Sequence, residues 1–144
     1  MTSPRIVFAA LLGLGWSLLS CTSSHVMDAS WPRLRAAPVG TRADDLTFEF
    51  SPCDAEDRGE PDVSRIFVTR QPDGAVYCSL AMAKGGRPFM GPWRYGSTPP
   101  GLAGTCRPLD TPGRYEIEFR GSGLGRLEFE VDSSHKITMR NDGC

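Results

Sequence analysis

Six stretches of this chain alternate apolar and polar residues with a period of two, the spacing at which side chains of an extended strand fall on opposite faces. Leu46, Phe48 and Phe50 alternate with Thr47, Glu49 and Ser51. Ile66 and Val68 sit between Arg65, Phe67 and Thr69, and Val76, Cys78, Leu80 and Met82 alternate with Ala75, Tyr77, Ser79 and Ala81. Tyr115, Ile117 and Phe119 alternate with Arg114, Glu116, Glu118 and Arg120. Leu127, Phe129 and Val131 alternate with Arg126, Glu128, Glu130 and Asp132, and Ile137 and Met139 with Lys136, Thr138 and Arg140. Turn chemistry separates the runs: Pro72-Asp73-Gly74, the glycine-rich stretch 121–125, and the short loop 132–135. No window of helical length carries a 3.6-residue period. The 16 Gly and 12 Pro disfavour helix interiors and exclude a helical bundle. Strands with one apolar face must bury it against a second sheet. The expectation is one all-β domain over 43–144, an antiparallel β-sandwich of about seven strands.

The N-terminus reads as an address. Residues 1–20 have a charged start with Arg5, then an uncharged, mostly apolar stretch from Ile6 to Leu19, too short to span a bilayer comfortably. The stretch ends in Leu18-Leu19-Ser20-Cys21. This resembles the lipobox of bacterial lipoproteins. The resemblance implies cleavage before Cys21, lipid on its sulfur and an acylated amine, together a stable membrane anchor. Thr22 in place of an aspartate implies the outer membrane of a Gram-negative envelope, with the domain facing the periplasm. Residues 21–42 then read as the lipidated cysteine and a flexible tether rich in Ser, Thr, Ala, Arg and Pro. Trp31 within it either docks on the domain or dips into the membrane interface.

Of five cysteines, lipidation of Cys21 leaves Cys53, Cys78, Cys106 and Cys144. An even number in an exported chain indicates disulfides. Of the three pairings, Cys78–Cys106 and Cys53–Cys144 are favoured: the first staples the long 84–105 segment, and the second pins a C-terminus that otherwise frays. No C-x-x-C pair is present and no His lies at ligand spacing from a Cys, so neither a metal centre nor a redox site is expected.

The segment Leu109 to Phe119 carries a Leu, a Pro-Gly pair and a Tyr six residues after the Leu, ahead of an alternating strand. It resembles the tyrosine corner of fibronectin type III domains, with the Pro-Gly pair shifted by one. Leu46 to Pro52 is similar to that family's second strand, with Phe50 where its Trp usually stands. The resemblance implies an Ig/fibronectin III-like sandwich and carries no function.

Groups suited to catalysis are scattered. His25 lies in the tether, and His135 in a turn beside Ser133 and Ser134, whereas a triad needs groups converging from separate elements. The acidic run Asp54, Glu56, Asp57, Glu60 and Asp62 lacks the spacing of a calcium loop. Glu116, Glu118, Glu128 and Glu130 point to water by parity, interleaved with arginines, and do not pair as glycosidase carboxylates. The glycines of 121–125 precede a strand rather than a helix, so they do not form a phosphate loop. The 16 Lys+Arg balance 17 Asp+Glu, which leaves no basic excess for nucleic acid. No catalytic residue, cofactor or metal is expected.

The informative region is 84–105, where ten of 22 residues are Gly or Pro and no regular period appears; such a loop is often functional. Phe67 and Tyr77 break the polar-out rule on neighbouring strands. In one reading the segment folds across them and buries Trp93. In the other, Phe67, Tyr77, Trp93, Arg94 and Tyr95 form an exposed binding patch of the residue types favoured at interfaces. The expected function is a lipid-anchored, non-catalytic envelope protein that binds a protein partner, in one version as an inhibitor or immunity-type protein. The alternatives are a glycan or peptidoglycan module using Trp93 and Tyr95, and a purely structural lipoprotein.

Overall fold

The alternating runs pair into two antiparallel sheets whose apolar faces meet. The computed structural model describes residues 32–54, 56, 59–141 and 143–144; the export signal, Cys21, His25 and Trp31 lie outside them. Ten strands follow in order: β1 (Leu34–Val39), β2 (Thr47–Pro52), β3 (Asp62–Gln71), β4 (Ala75–Met82), β5 (Phe89–Met90), β6 (Trp93–Arg94), β7 (Leu102–Cys106), β8 (Gly113–Gly121), β9 (Leu124–Val131) and β10 (Ile137–Met139). The smaller sheet runs β1-β2-β6; the larger runs β10-β9-β8-β3-β4-β7, with β5 beside β3. The six periodic runs supply β2, β3, β4, β8, β9 and β10. The remaining four are β1 and three short pieces within 84–106, β5, β6 and β7.

β1 corrects the domain boundary. The stretch 21–42 expected as lipidated cysteine and tether contains this strand: Leu34–Val39 pairs with β2 along its length and buries Leu34 and Ala36. The glycines of 121–125 explain how β1 fits. A Cβ at Gly125 would lie 2.1 Å from the Phe119 ring and 2.5 Å from the Leu34 carbonyl oxygen, and one at Gly123 would lie 2.4 Å from that of Pro32. Their absence lets the entry to β1 lie parallel to β9, with the Leu124 N–H donating to the Pro32 C=O at 2.9 Å. The stretch is thus both a hairpin loop and a seat for the first strand.

Between the sheets every buried residue is apolar. Phe48 of the smaller sheet packs on Phe129 of the larger, with ring centroids 6.1 Å apart, and Phe50 packs on Phe119 at 5.0 Å. Burying such rings stabilises by roughly 1.5–3 kcal/mol each. The parity of β4 differs from the sequence expectation. Val68 faces Cys78 and Thr69 faces Val76, so Tyr77 is an extra residue, a β-bulge. The bulge turns Tyr77 into the core and Val76 out, to 45% exposure. Met82, also expected inside, is 50% exposed at the end of the strand.

Both expected disulfides form, Cys53–Cys144 and Cys78–Cys106. The second joins facing positions of β4 and β7. The corner geometry forms as well: Tyr115 is fully buried, stacks on Phe129 at 5.5 Å, and donates its hydroxyl to the Thr111 C=O at 2.6 Å. Tyr115→Phe keeps the ring and removes that donor. It is expected to lower unfolding free energy by about 1–2 kcal/mol, read as a lower urea midpoint at unchanged slope; an unchanged midpoint would show that the bond carries no weight.

On the outer face of the larger sheet the glutamates stand where parity put them. Glu118 pairs with Arg120 at 2.7 Å, Glu116 with Arg126 at 3.4 Å, and Glu130 with Arg140 at 2.8 Å. Exposed pairs of this kind contribute little to stability; they keep the face soluble.

Candidate functional site

The segment after β4 is irregular in backbone yet anchored at fixed points. Phe89, Trp93, Pro99 and Leu102 are buried. The Trp93 indole N–H donates to the Ser97 C=O at 3.0 Å, and the Ser97 N–H and hydroxyl both donate to the Arg94 C=O, at 3.1 and 2.6 Å. The Leu102 N–H closes a turn on the Pro99 C=O at 3.1 Å. Gly101, with φ of +85°, lies so near Arg87 that a Cβ would meet the Arg87 carbonyl oxygen at 2.1 Å. Any other residue there would push the two arms of the segment apart.

Between these anchors the alternate residues face water. Phe89 points in and Met90 out, at 58% exposure; Trp93 points in and Arg94 out. The result is an open groove of about 660 Å³, lined by Arg87, Met90, Pro92, Arg94 and the 97–101 turn over the edge of Trp93. Its two charged side chains are both arginines. Arg94 approaches Asp45 at 3.8 Å across exposed surface.

The five residues expected to form an exposed patch do not form one, although Trp93 and Tyr95 are in contact with ring centroids 5.5 Å apart. Trp93 is 1% exposed and stacks on Phe48 at 5.7 Å. Tyr77 is 2% exposed, because the bulge turned it inward. Phe67 stands half-buried on the opposite, outer face between Ser79 and Glu118, under the Arg65 guanidinium at 5.9 Å. Neither reading of the segment holds in full: it does bury Trp93, but against Phe48 and Tyr95 rather than Phe67. Of the five, Arg94 alone is exposed. Arg87 and Met90, which the sequence reading passed over, join it in the groove. Their signal was the two-residue alternation Phe89/Met90 and Trp93/Arg94, interrupted by Gly91-Pro92.

Tyr95 ties the segment to a second cluster. Its hydroxyl donates to the Arg107 C=O at 2.9 Å. Arg107 lies over one Tyr77 face at 4.6 Å and Arg70 is 5.6 Å from the same ring. Arg70 also donates to the Tyr77 hydroxyl at 3.2 Å and pairs with Asp73. The Arg70 hydrogen bond holds the Asp73 carboxyl below its ordinary range. Burial pushes the Tyr95 and Tyr115 phenols well above theirs. Beyond Tyr95 a smaller depression of about 430 Å³ is lined by Asp44, Arg107, Asp110 and His135, mixed in sign. His135 sits there at φ of +61°, in a turn held by the Asp132 carboxylate, which accepts from the N–H groups of Ser134 and Lys136 at 2.8 and 2.9 Å.

Comparisons of the chain with protein-family models, with curated proteins and with solved structures find no match. By its own geometry the molecule is a disulfide-stapled antiparallel β-sandwich with one irregular, internally anchored side.

Proposed function

We propose that this chain is a lipid-anchored envelope protein, held at the outer membrane and facing the periplasm, whose sandwich works by binding a protein partner. The observation that carries the reading is the groove beside β5 and β6. Met90 and two arginines stand exposed on a segment anchored in the core through Phe89, Trp93, Pro99 and Leu102. Met and Arg are enriched at protein interfaces, and a surface held rigid before binding loses little entropy on docking. The glycan alternative loses its main support, because Trp93 offers no open face on which a sugar could stack.

The test is capture from periplasmic and secreted extracts by the mature, disulfide-intact protein, with Met90→Asp/Arg94→Glu as control. Both positions are exposed, so the double variant should melt within about 1 kcal/mol of the parent. The expected result is a stoichiometric protein partner retained by the parent and lost by the variant. A folded parent that retains no protein overturns the reading, and retention on cell-wall glycan would transfer the function to the alternative.

A further inference from the structure

β7 is the last strand of the larger sheet. Two bonds at its ends fix the phase of its ladder with β4. The Arg107 N–H donates to the Tyr77 C=O at 2.6 Å, and the Ala83 N–H to the Gly101 C=O at 3.0 Å. With Ser79 facing Thr105 and Ala81 facing Ala103, the odd-numbered residues of β7 bond inward to β4. Alternation then turns the N–H and C=O groups of Gly104 and Cys106 outward, away from the sheet. Ala103, Gly104 and Thr105 are exposed.

Sheet edges are ordinarily guarded by charge, proline or a bulge, or covered by another segment. The other end of this sheet is covered: beside β10 the Ile137 N–H donates to the Thr41 C=O at 2.8 Å, and the Ala43 N–H to the His135 C=O at 2.9 Å. The centre of β7 carries only Ala, Gly and Thr. Its glycine is required by the opposite neighbour, since a Cβ at Gly104 would lie 1.9 Å from the Ser79 carbonyl oxygen. Among the described residues nothing pairs with the outward side of the edge, and its middle is bare main chain.

Charge selects the occupant. The groove that opens at the start of β7 holds Arg87 and Arg94 and no carboxylate, Lys84 follows Ala83 at the same end, and Arg107 follows the strand at the other. Among the described residues, Lys84, Arg87 and Arg107 form no ion pair. A second copy, paired antiparallel about Gly104, would set Arg107 of each chain toward the Arg87 end of the other, cation against cation. An acidic strand would meet Lys84 and Arg87 at one end and Arg107 at the other, where Asp44 and Asp110 line the depression beyond it.

We infer that the β7 edge receives an extended acidic strand from a partner protein, extending the larger sheet by one strand. The inference rests on the protein-binding reading and specifies how the partner is held. Main-chain bonds to Gly104 and Cys106 supply affinity, and the cations at the two ends supply selectivity. Alternating apolar and acidic residues suit the added strand, since one of its faces continues the core side and the other the solvent side.

The probe is a capped six-residue peptide alternating glutamate and valine, with a lysine-for-glutamate peptide as control. Each is titrated to millimolar concentration into the disulfide-intact protein while backbone amides are followed by NMR. The glutamate peptide is expected to shift the Gly104 and Cys106 amides and to slow their hydrogen exchange roughly tenfold. The lysine peptide should do neither, and Ala103→Glu/Thr105→Glu should abolish the response. No response to the glutamate peptide, or an equal response to both, overturns the inference. Protection that appears on concentrating the protein alone puts a second copy at the edge and overturns it too. A captured partner that leaves Gly104 and Cys106 exchanging as in the free protein removes the edge assignment while protein binding stands. Failure to capture any partner removes the protein-binding reading, and the peptide titration still decides the edge.

Discussion

Trp93→Ala is expected to lower unfolding free energy by about 3–5 kcal/mol, a large part of the roughly 5–15 kcal/mol that a domain of this kind possesses. Trp93 is 1% exposed in a segment with no regular period, yet it belongs to the core. Its ring stacks on Phe48 at 5.7 Å and lies 5.5 Å from Tyr95. Its backbone pairs with Phe48 through β6, the only contact by which the segment joins the smaller sheet as a strand among the described residues. Truncation removes the ring, leaves a cavity beside Phe48, and frees the Ser97 carbonyl that the indole N–H had satisfied. Trp93→Phe separates these contributions: it retains most of the buried ring and is expected to cost about 1–3 kcal/mol. Urea unfolding with near-ultraviolet circular dichroism reads both. A Trp93→Ala protein that unfolds at the parent midpoint would place the ring outside the core. The same variant must not serve as the control for binding, because it would lose a partner simply by loosening the surface that carries Arg87, Met90 and Arg94.

In β8 and β9 two-residue alternation told strand from loop and inside from outside, because only one assignment of faces buries Tyr115, Ile117 and Phe119 together with Leu127, Phe129 and Val131. Three features escaped it for physical reasons. β1 buries Leu34 and Ala36 between prolines and arginines, and a methyl group is too small a hydrophobic signal to mark a strand. At Tyr77 one inserted residue reverses the parity of the strand. Counting cannot show an insertion that is defined by the neighbouring strand. In the candidate site, the nature of Trp93, Tyr95 and Arg94 was legible and their exposure was not, since each orientation is set by contacts distant in sequence. Trp93 depends on Phe48, Tyr95 on Arg107, and the bend at Gly101 on Arg87. The disulfides were legible because Cys78 faced inward by parity, Cys53 closed a strand and Cys144 is the last residue of the sequence.

Removing Cys53–Cys144 by alanine at both positions is expected to cost about 4–5 kcal/mol, against about 3–4 kcal/mol for Cys78–Cys106. The ordering follows from the chain segments they close, with sequence separations of 91 and 28: the longer one restricts the unfolded chain more. Native contacts act in the same direction. The Cys53 N–H donates to the Arg33 C=O at 2.9 Å, and the Arg33 guanidinium donates to the Gly143 C=O at 3.3 Å. The bridge therefore locks the end of β2, the entry to β1 and the C-terminus into one knot, and its loss lets β1 peel from β9. Cys78–Cys106 acts more locally, between facing residues of β4 and the edge strand β7. Its removal should leave most of the sandwich protected while hydrogen exchange quickens along Leu102–Cys106. Urea unfolding of the two double variants gives the order, and amide exchange gives the extent. If the Cys78–Cys106 variant proves the less stable, the buried Cys78 side chain and its packing would outweigh chain entropy, and the edge strand would be held by its core contacts rather than by the length of chain that the bridge closes.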